Sequence, residues 1–409
     1  MRKAWLTIPF ALVVVFAAAC SGLGGGSGAS KTVKIVSSLP MTGPSRTQTL
    51  TIINSIKMAL DEINSKVGNI TIEYEALDDA TAAKQSWDAA QEAENARKAI
   101  DDAKIVAYIG TYNSGAAKVA IPLLCKANLV MVSPANTYVG LTKSIPPISA
   151  ANEPGTYYPD GCTRNYYRVI PNDKIQGDAA AGWAKDLGAK KIYVTHDDQL
   201  YGKGLADGFR IKAKELGLTE VGYEAAPKAD NFRALVNKIK DSGADLVYNG
   251  AIVDNNSAIL LKNLREIDPT GKIKFMTGDG NLCGEFLKLS GSSAEGAYGT
   301  FGGTAPEAYT GAAKTWLDNY LKKFNVTDAP DVYAIYGYEA AKVVIAAIQK
   351  AGDKASDRAT LRDTVAATKD FSGVLGKWSF DKDGDTSLTQ ISAFIAKGGK
   401  WAFEKVLGQ

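Results

Sequence analysis

The chain has 409 residues, with 47 Lys and Arg against 44 Asp and Glu and a single histidine. That near-neutral balance excludes the basic excess of a nucleic-acid-binding surface, and one histidine excludes a two-histidine zinc helix. Apolar residues make up 45% and charged residues 22%, as in an ordinary globular protein, and the length exceeds what one core supports, so two domains are expected.

Residues 1–20 read as a secretory signal peptide. Arg2 and Lys3 form a positive end, Trp5 to Ala19 an apolar run, and Ala17, Ala18 and Ala19 lead into Cys20. The run is shorter than the roughly 20 apolar residues a membrane-spanning helix needs, and Pro9 interrupts it. A cysteine directly after the small residues resembles the lipobox of bacterial lipoproteins, with Ala17 where Leu is usual. The resemblance implies that the Cys20 thiol is acylated and that cleavage leaves it first. Residues 21–30, SGLGGGSGAS, have no periodicity and read as a flexible tether reaching at most roughly 33 Å. The folded part is therefore expected from Lys31, outside the cytoplasmic membrane and tied to it by lipid.

Short β-rich runs then alternate with helical ones. Strands are expected at 33–38, 70–77, 105–110 and 129–133, and helices at 48–65, 84–101 and 116–127. This alternation predicts an α/β fold with a parallel sheet covered on both faces. From Ile145 to Pro171 the chain is rich in Pro, Gly, Asn and Tyr and reads as a connector. The alternation then restarts, with strands at 191–196, 219–225, 245–250 and 272–278 and helices at 176–187, 203–216, 232–241 and 257–267. Two doubly wound lobes of similar design are expected. Helices at 307–324, 332–351 and 358–367 precede a strand–turn tail, so the chain should cross between the lobes more than once.

Outside the membrane a disulfide is possible. Cys125 falls on an expected helix and Cys162 in a turn-rich loop, and these two are expected to pair, leaving Cys283 as a small buried hydrophobe. No Cys-x-x-Cys pair is present, so neither zinc nor any other cofactor is expected. His196 ends a strand and has no nucleophile elbow to serve. Gly202, Gly204 and Gly208 are spaced one residue too widely for a dinucleotide fingerprint. Asp381, Asp383 and Asp385 begin like a calcium loop, but Ser392 stands where the closing Glu belongs, so a turn is expected. Nothing here marks an enzyme.

In an open α/β sheet, ligands bind at the carboxyl ends of the strands. The segments there carry small polar residues: 39–44, 110–115, 133–137 and 278–280. Ser114 opens a helix whose free N–H groups suit a carboxylate. Thr137 offers a hydroxyl and Ala135 a backbone N–H. Asp279 is a lone negative charge between two glycines. Opposite charges on opposite lobes suit a zwitterion.

The stretches LPMTGPS, MALDEIN, YIGTYNSGAAKVAIPLL, MVSPANTYVGLT, DDQLYGKGLADGF, DLVYNG, MTGDG, IYGYEAAKV and GKWSFDKDGDT together carry a resemblance. From Lys31 onward the chain resembles the type I substrate-binding proteins of ABC importers, in the branched-chain amino-acid-binding group. The resemblance implies two lobes joined by a three-segment hinge, residues 31–152 plus 303–370 in the first and 153–302 plus 371–409 in the second. It implies that Ser114, Ala135 and Thr137 hold an α-carboxylate, that Asp279 holds the α-ammonium where some relatives have Glu, and that Tyr201 closes over the ligand. Gln48 joins this set where relatives often have an aromatic, and Ile252 and Val253 stand where tyrosines can occur. The implied protein is a monomer tethered to the membrane by its lipid anchor, with no nucleic-acid partner. It captures a small aliphatic amino acid and delivers it to an ABC permease. The alternatives are the same fold binding urea or short amides, or a ligand-sensing module for a membrane receptor.

Overall fold

The computed structural model describes Met1 and residues 31–408, so Cys20 and the tether at 21–30 lie outside the described residues. Strands β1 (Lys31–Leu39), β2 (Lys66–Val67) and β3 (Ile70–Asp78) enclose helix α1 (Arg46–Asp61) in sequence. A small hairpin of β4 (Ala80–Thr81) and β5 (Ser86–Trp87) leads to α2 (Ala89–Asp101), β6 (Ile105–Gly110), α3 (Ser114–Lys126), β7 (Val130–Ser133) and β8 (Tyr166–Arg168). One sheet has the order β2-β3-β1-β6-β7-β8, parallel except where β2 meets β3. Val33, Ile35, Val36 and Leu39 of β1 are all buried, because helices cover both faces of this sheet.

The second sheet follows α4 (Asp173–Asp186). It takes β9 (Lys191–His196), α5 (Leu200–Glu215), β10 (Thr219–Ala225), α6 (Arg233–Asp241) and β11 (Leu246–Gly250). Next come α7 (Ser257–Ile267), β12 (Lys274–Thr277), α8 (Gly284–Ser290) and β13 (Tyr298–Phe301). The chain then returns to the first lobe for α9 (Gly311–Phe324), α10 (Ala334–Ala351), α11 (Arg358–Ala366) and the hairpin β14 (Phe371–Gly373) and β15 (Gly376–Trp378). It ends in the second lobe with β16 (Ile391–Lys397) and β17 (Lys400–Leu407). That sheet reads β10-β9-β11-β12-β13-β16-β17, parallel up to β13 and antiparallel beyond.

Three segments therefore link the lobes: 169–172, 302–310 and 379–390. Two of the expected boundaries move. The chain between 153 and 168 stays with the first lobe, because β8 pairs with β7. Residues 371–378 also stay there, because Trp378 packs into the first core and reaches Glu339 of α10. The expected crossing near 302 coincides with the second segment.

Local chemistry explains the other shifts. The helix expected from Lys84 begins at Ala89, where Asp88 accepts from the N–H of Ala90 at 2.9 Å and of Gln91 at 3.0 Å. α1 stops at Asp61, and Asn64 and Ser65 then adopt positive φ. α1 and α10 cross closely at Gly337, where a Cβ would meet the Ile52 carbonyl oxygen at 2.7 Å. His196 is structural: its Nδ1 accepts from Asp198 N–H at 3.1 Å and its ring leans on Tyr223. Cys125 and Cys162 are joined, with Cα atoms 5.6 Å apart, and Cys283 is a buried free thiol at the start of α8. Among the described residues no helix is long and apolar enough to cross a membrane.

Candidate ligand-binding site

Both sheets reverse strand order beside their first strand, between β1 and β6 and between β9 and β11. Loops leaving carboxyl ends on either side of such a point diverge and leave a crevice. Here the two crevices face each other. Between them lies a small cavity of about 10 Å³, room for little more than one water in this arrangement of the lobes. Its walls are the β6–α3 turn (Tyr112, Asn113, Ser114), the loop after β7 (Ala135, Thr137), Tyr201 of α5, Ile252 after β11, Gly280 after β12, and Tyr333 before α10.

Four of the expected site residues, Ser114, Ala135, Thr137 and Tyr201, thus meet at one cavity. Thr137 keeps its hydroxyl without a hydrogen-bond partner, as does the side-chain oxygen of Asn113. The Ser114 hydroxyl accepts from Tyr138 N–H at 3.3 Å. Ala135 departs from expectation. Its N–H donates to the Ser133 hydroxyl at 3.1 Å, so its carbonyl is the group left for a ligand.

Asp279 and Gln48 stand just behind the wall. Asp279 is fully buried, and Oδ1 accepts from the Tyr201 hydroxyl at 2.6 Å and from Gln176 Nε2 at 3.0 Å. Its Oδ2 accepts from the Tyr333 hydroxyl. Two cavity-lining phenols therefore carry this carboxylate's influence to the cavity. Gln48 accepts from Tyr112 at 2.6 Å and donates towards the carbonyls of Asp279 and Leu282, each at 3.4 Å. It ties α1 of the first lobe to the 278–282 turn of the second. Gly280 lets Ile252 and Tyr201 close on this turn, since a Cβ there would lie 2.8 Å from Ile252 Cγ2 and 3.0 Å from Tyr201 Cε1.

Burial raises the Asp279 carboxyl above its ordinary range, against the opposing pull of its Tyr201, Tyr333 and Gln176 donors. Asp173, at the start of α4, is raised further, first by burial and then by Asp279. Both of its carboxyl oxygens lack partners. The site thus holds two desolvated carboxyls; the buried Arg168, which donates to the carbonyls of Asn136 and Tyr138 on either side of Thr137, pulls Asp173 down but is itself held by Asp385. Ile252, Tyr112 and Tyr333 supply apolar surface, with Tyr112 and Tyr333 edge to face at 5.5 Å. Sequence reasoning missed Tyr333, Gln176 and Asp173. Gln176 and Asp173 lie just past the first crossing, and Tyr333 lies just before the IYGYEAAKV stretch, well inside the first lobe, where no local pattern marks any of the three as a site residue.

Comparison with known proteins agrees with this geometry. Residues 32–398 match the family described as periplasmic binding protein. The chain is 30% identical over 380 residues to the Leu/Ile/Val-binding protein homolog 1 of Brucella melitensis biotype 1, covering 91% of each. The leucine-binding protein LivK of Thermotoga maritima MSB8 superposes with a TM-score of 0.79 at 27% identity, over 92% of this chain and 99% of that one. LivJ of Streptococcus pneumoniae, a branched-chain amino acid transporter substrate-binding protein in complex with isoleucine, gives 0.76 at 25% identity, over 92% and 99%. The family is one of extracytoplasmic solute-binding proteins, not enzymes. With two parallel-centred lobes, three crossings and a cavity at facing switch points, the chain belongs to the type I periplasmic binding proteins, in the branched-chain amino-acid-binding group.

Proposed function

We propose that this protein captures a small aliphatic amino acid between its lobes and delivers it to an ABC permease while tethered to the membrane through Cys20. The observation that carries the reading is the division of the cavity. The Thr137 hydroxyl, without a partner, lies beside the amino end of α3, where a carboxylate gains from free N–H groups and the helix dipole. Across from them Tyr201 and Tyr333 lead to the Asp279 carboxyl, the partner for an α-ammonium. Ile252 and the tyrosine faces are left for an aliphatic side chain. An arriving ammonium would hold Asp279 in its charged form and draw the lobes together, because the groups it touches come from both.

Calorimetry with free amino acids, their amides and urea tests this. Truncating one side of a buried charge pair costs about 2–5 kcal/mol, so Asp279→Asn should weaken amino-acid binding roughly 30- to 4,000-fold. Ser114→Ala should lose less, about 1.5–3 kcal/mol if its hydroxyl meets a carboxylate. An uncharged amide or urea is the second reading, favoured by the three protein donors that already satisfy Asp279. Tight amide binding with less than a twofold effect of Asp279→Asn would establish that reading instead. For the anchor, Cys20→Ser should release the protein from the membrane fraction. Wild-type protein already soluble outside the cell would refute the tether.

A further inference from the structure

A second, larger cavity lies beside the first and has no part in the reading above. It is an open groove of about 890 Å³, lined by both lobes. The first lobe supplies Tyr320 and Phe324 of α9 and the loop 325–332. The second supplies Leu282, Leu287 and Trp401, from the turn before α8, from α8 itself and from β17. These walls are mostly apolar and aromatic, and Leu282 and Tyr320 are buried.

Two carboxylates of the 325–332 loop face this space. Asp328 is paired with Lys400 at 2.9 Å. Asp331, half-buried just before α10, is different: among the described residues its carboxylate has no cation and no hydrogen-bond donor, and desolvation pushes it up to about 7. A partly desolvated carboxylate without a counter-charge gains from a cation that enters beside it. Aromatic faces beside it would add to the attraction for an ammonium.

We propose that this inter-lobe groove is a second ligand site, which takes a protonated organic amine with an apolar body, the ammonium on Asp331 and the body against Phe324, Leu287 and Trp401. The amine needs no carboxylate, because the groove presents no cation except Lys400, already held by Asp328. The two sites share one turn: Gly280 lines the first cavity, and Leu282, Cys283 and Gly284 line the groove. The inference is independent of which solute the first cavity takes.

The test is calorimetry on the mature chain with phenethylamine, at about pH 8 so that Asp331 is ionised. The expected result is saturable binding that weakens at least about tenfold in Asp331→Asn. On wild-type protein, N-acetylphenethylamine should also bind at least about tenfold more weakly, since acylation removes the charge. That comparison stands even where the variant fails to fold. No binding at millimolar amine would overturn the proposal. So would equal binding of the acetylated analogue, or binding kept in Asp331→Asn and lost in Asp279→Asn.

Discussion

Asp254 of the second lobe accepts two hydrogen bonds from Ser45 of the first, from the backbone N–H at 2.7 Å and from the hydroxyl at 2.8 Å. Ser45 is the N-cap of α1, and its own side chain caps nothing in that helix. The carboxylate that serves this helix end is therefore lent by the opposite lobe, and only while the lobes are together. Ser86 of the β4–β5 hairpin adds a third donor at 3.2 Å.

Removing this clasp should favour the open protein. A hydrogen bond to a charged group is worth about 1.5–3 kcal/mol, so Asp254→Ala should weaken ligand binding roughly 10- to 150-fold. Small-angle scattering of the ligand-free variant should show a larger radius of gyration than wild type. Unchanged affinity together with an unchanged scattering curve would mean that the clasp does not hold the lobes.

The third crossing is fixed by a second buried charge. Arg168, fully buried at the end of β8, donates to Asp385 at 2.7 Å, and Asn172 and Lys143 reach the same carboxylate at 2.9 and 3.0 Å. Burial pushes Asp385 up, but Arg168 and Lys143 prevail and hold it at about 2. Its stabilising effect is present above the ordinary Asp range and is lost as pH falls towards 2. Asp385→Ala leaves Arg168 buried and unpaired, which should cost about 3–5 kcal/mol in urea unfolding at neutral pH. A loss below about 1 kcal/mol would show that water or Tyr138 and Asn136 carbonyls suffice for the guanidinium.

Glu92 of α2 gives the opposite pH dependence. Burial raises it to about 8, although the Ser38 and Tyr108 hydroxyls donate to it at 2.5 and 2.7 Å. Its folded form binds a proton more tightly than its unfolded form. The stability it contributes is complete below about 4.5 and falls as pH rises towards 8, by up to about 1.4 kcal/mol per pH unit. Melting temperatures at pH values across that window should decline for wild type and decline less steeply for Glu92→Gln. Parallel curves for the two would remove Glu92 as a source.

The Cys125–Cys162 bond spans 37 residues, a closure worth about 4 kcal/mol in the chain-entropy model. Peptide mapping of non-reduced protein from the cell envelope should recover the two cysteines in one linked fragment. Replacing both by Ala should lower the melting temperature without changing ligand affinity, since neither lines the cavity. A free thiol at either position, or a link to Cys283, would contradict it.

The sequence reveals the long elements because their apolar periodicity is strong: β1, β3, β6, β9, β11 and α10 lie where expected within a few residues. It hides β8 and β13, of three and four residues, which are too short for a period to show and sit among Tyr, Gly and Asn. Missing β8 misplaced the first crossing. The site was legible where one strand end carries a compact polar turn, as at Ser114 and Thr137. It was not legible where a side chain arrives from a distant segment. Tyr333 is 54 residues from Asp279, Gln176 is 103, and nothing local in either segment announces the meeting.

The three crossings also set an order of assembly. The first core needs α9, α10 and α11, and the second sheet needs β16 and β17, so neither lobe is made of one unbroken stretch. A nascent chain leaving the ribosome lacks parts of the first lobe until about Trp378 is made, and parts of the second until β17 is made. Contacts between such distant stretches form slowly and late. Synthesis can therefore run well past the middle of the chain before it commits to a compact state; loss of β16 and β17 should cripple the second lobe, whereas truncation before α9 should cripple both lobes at once.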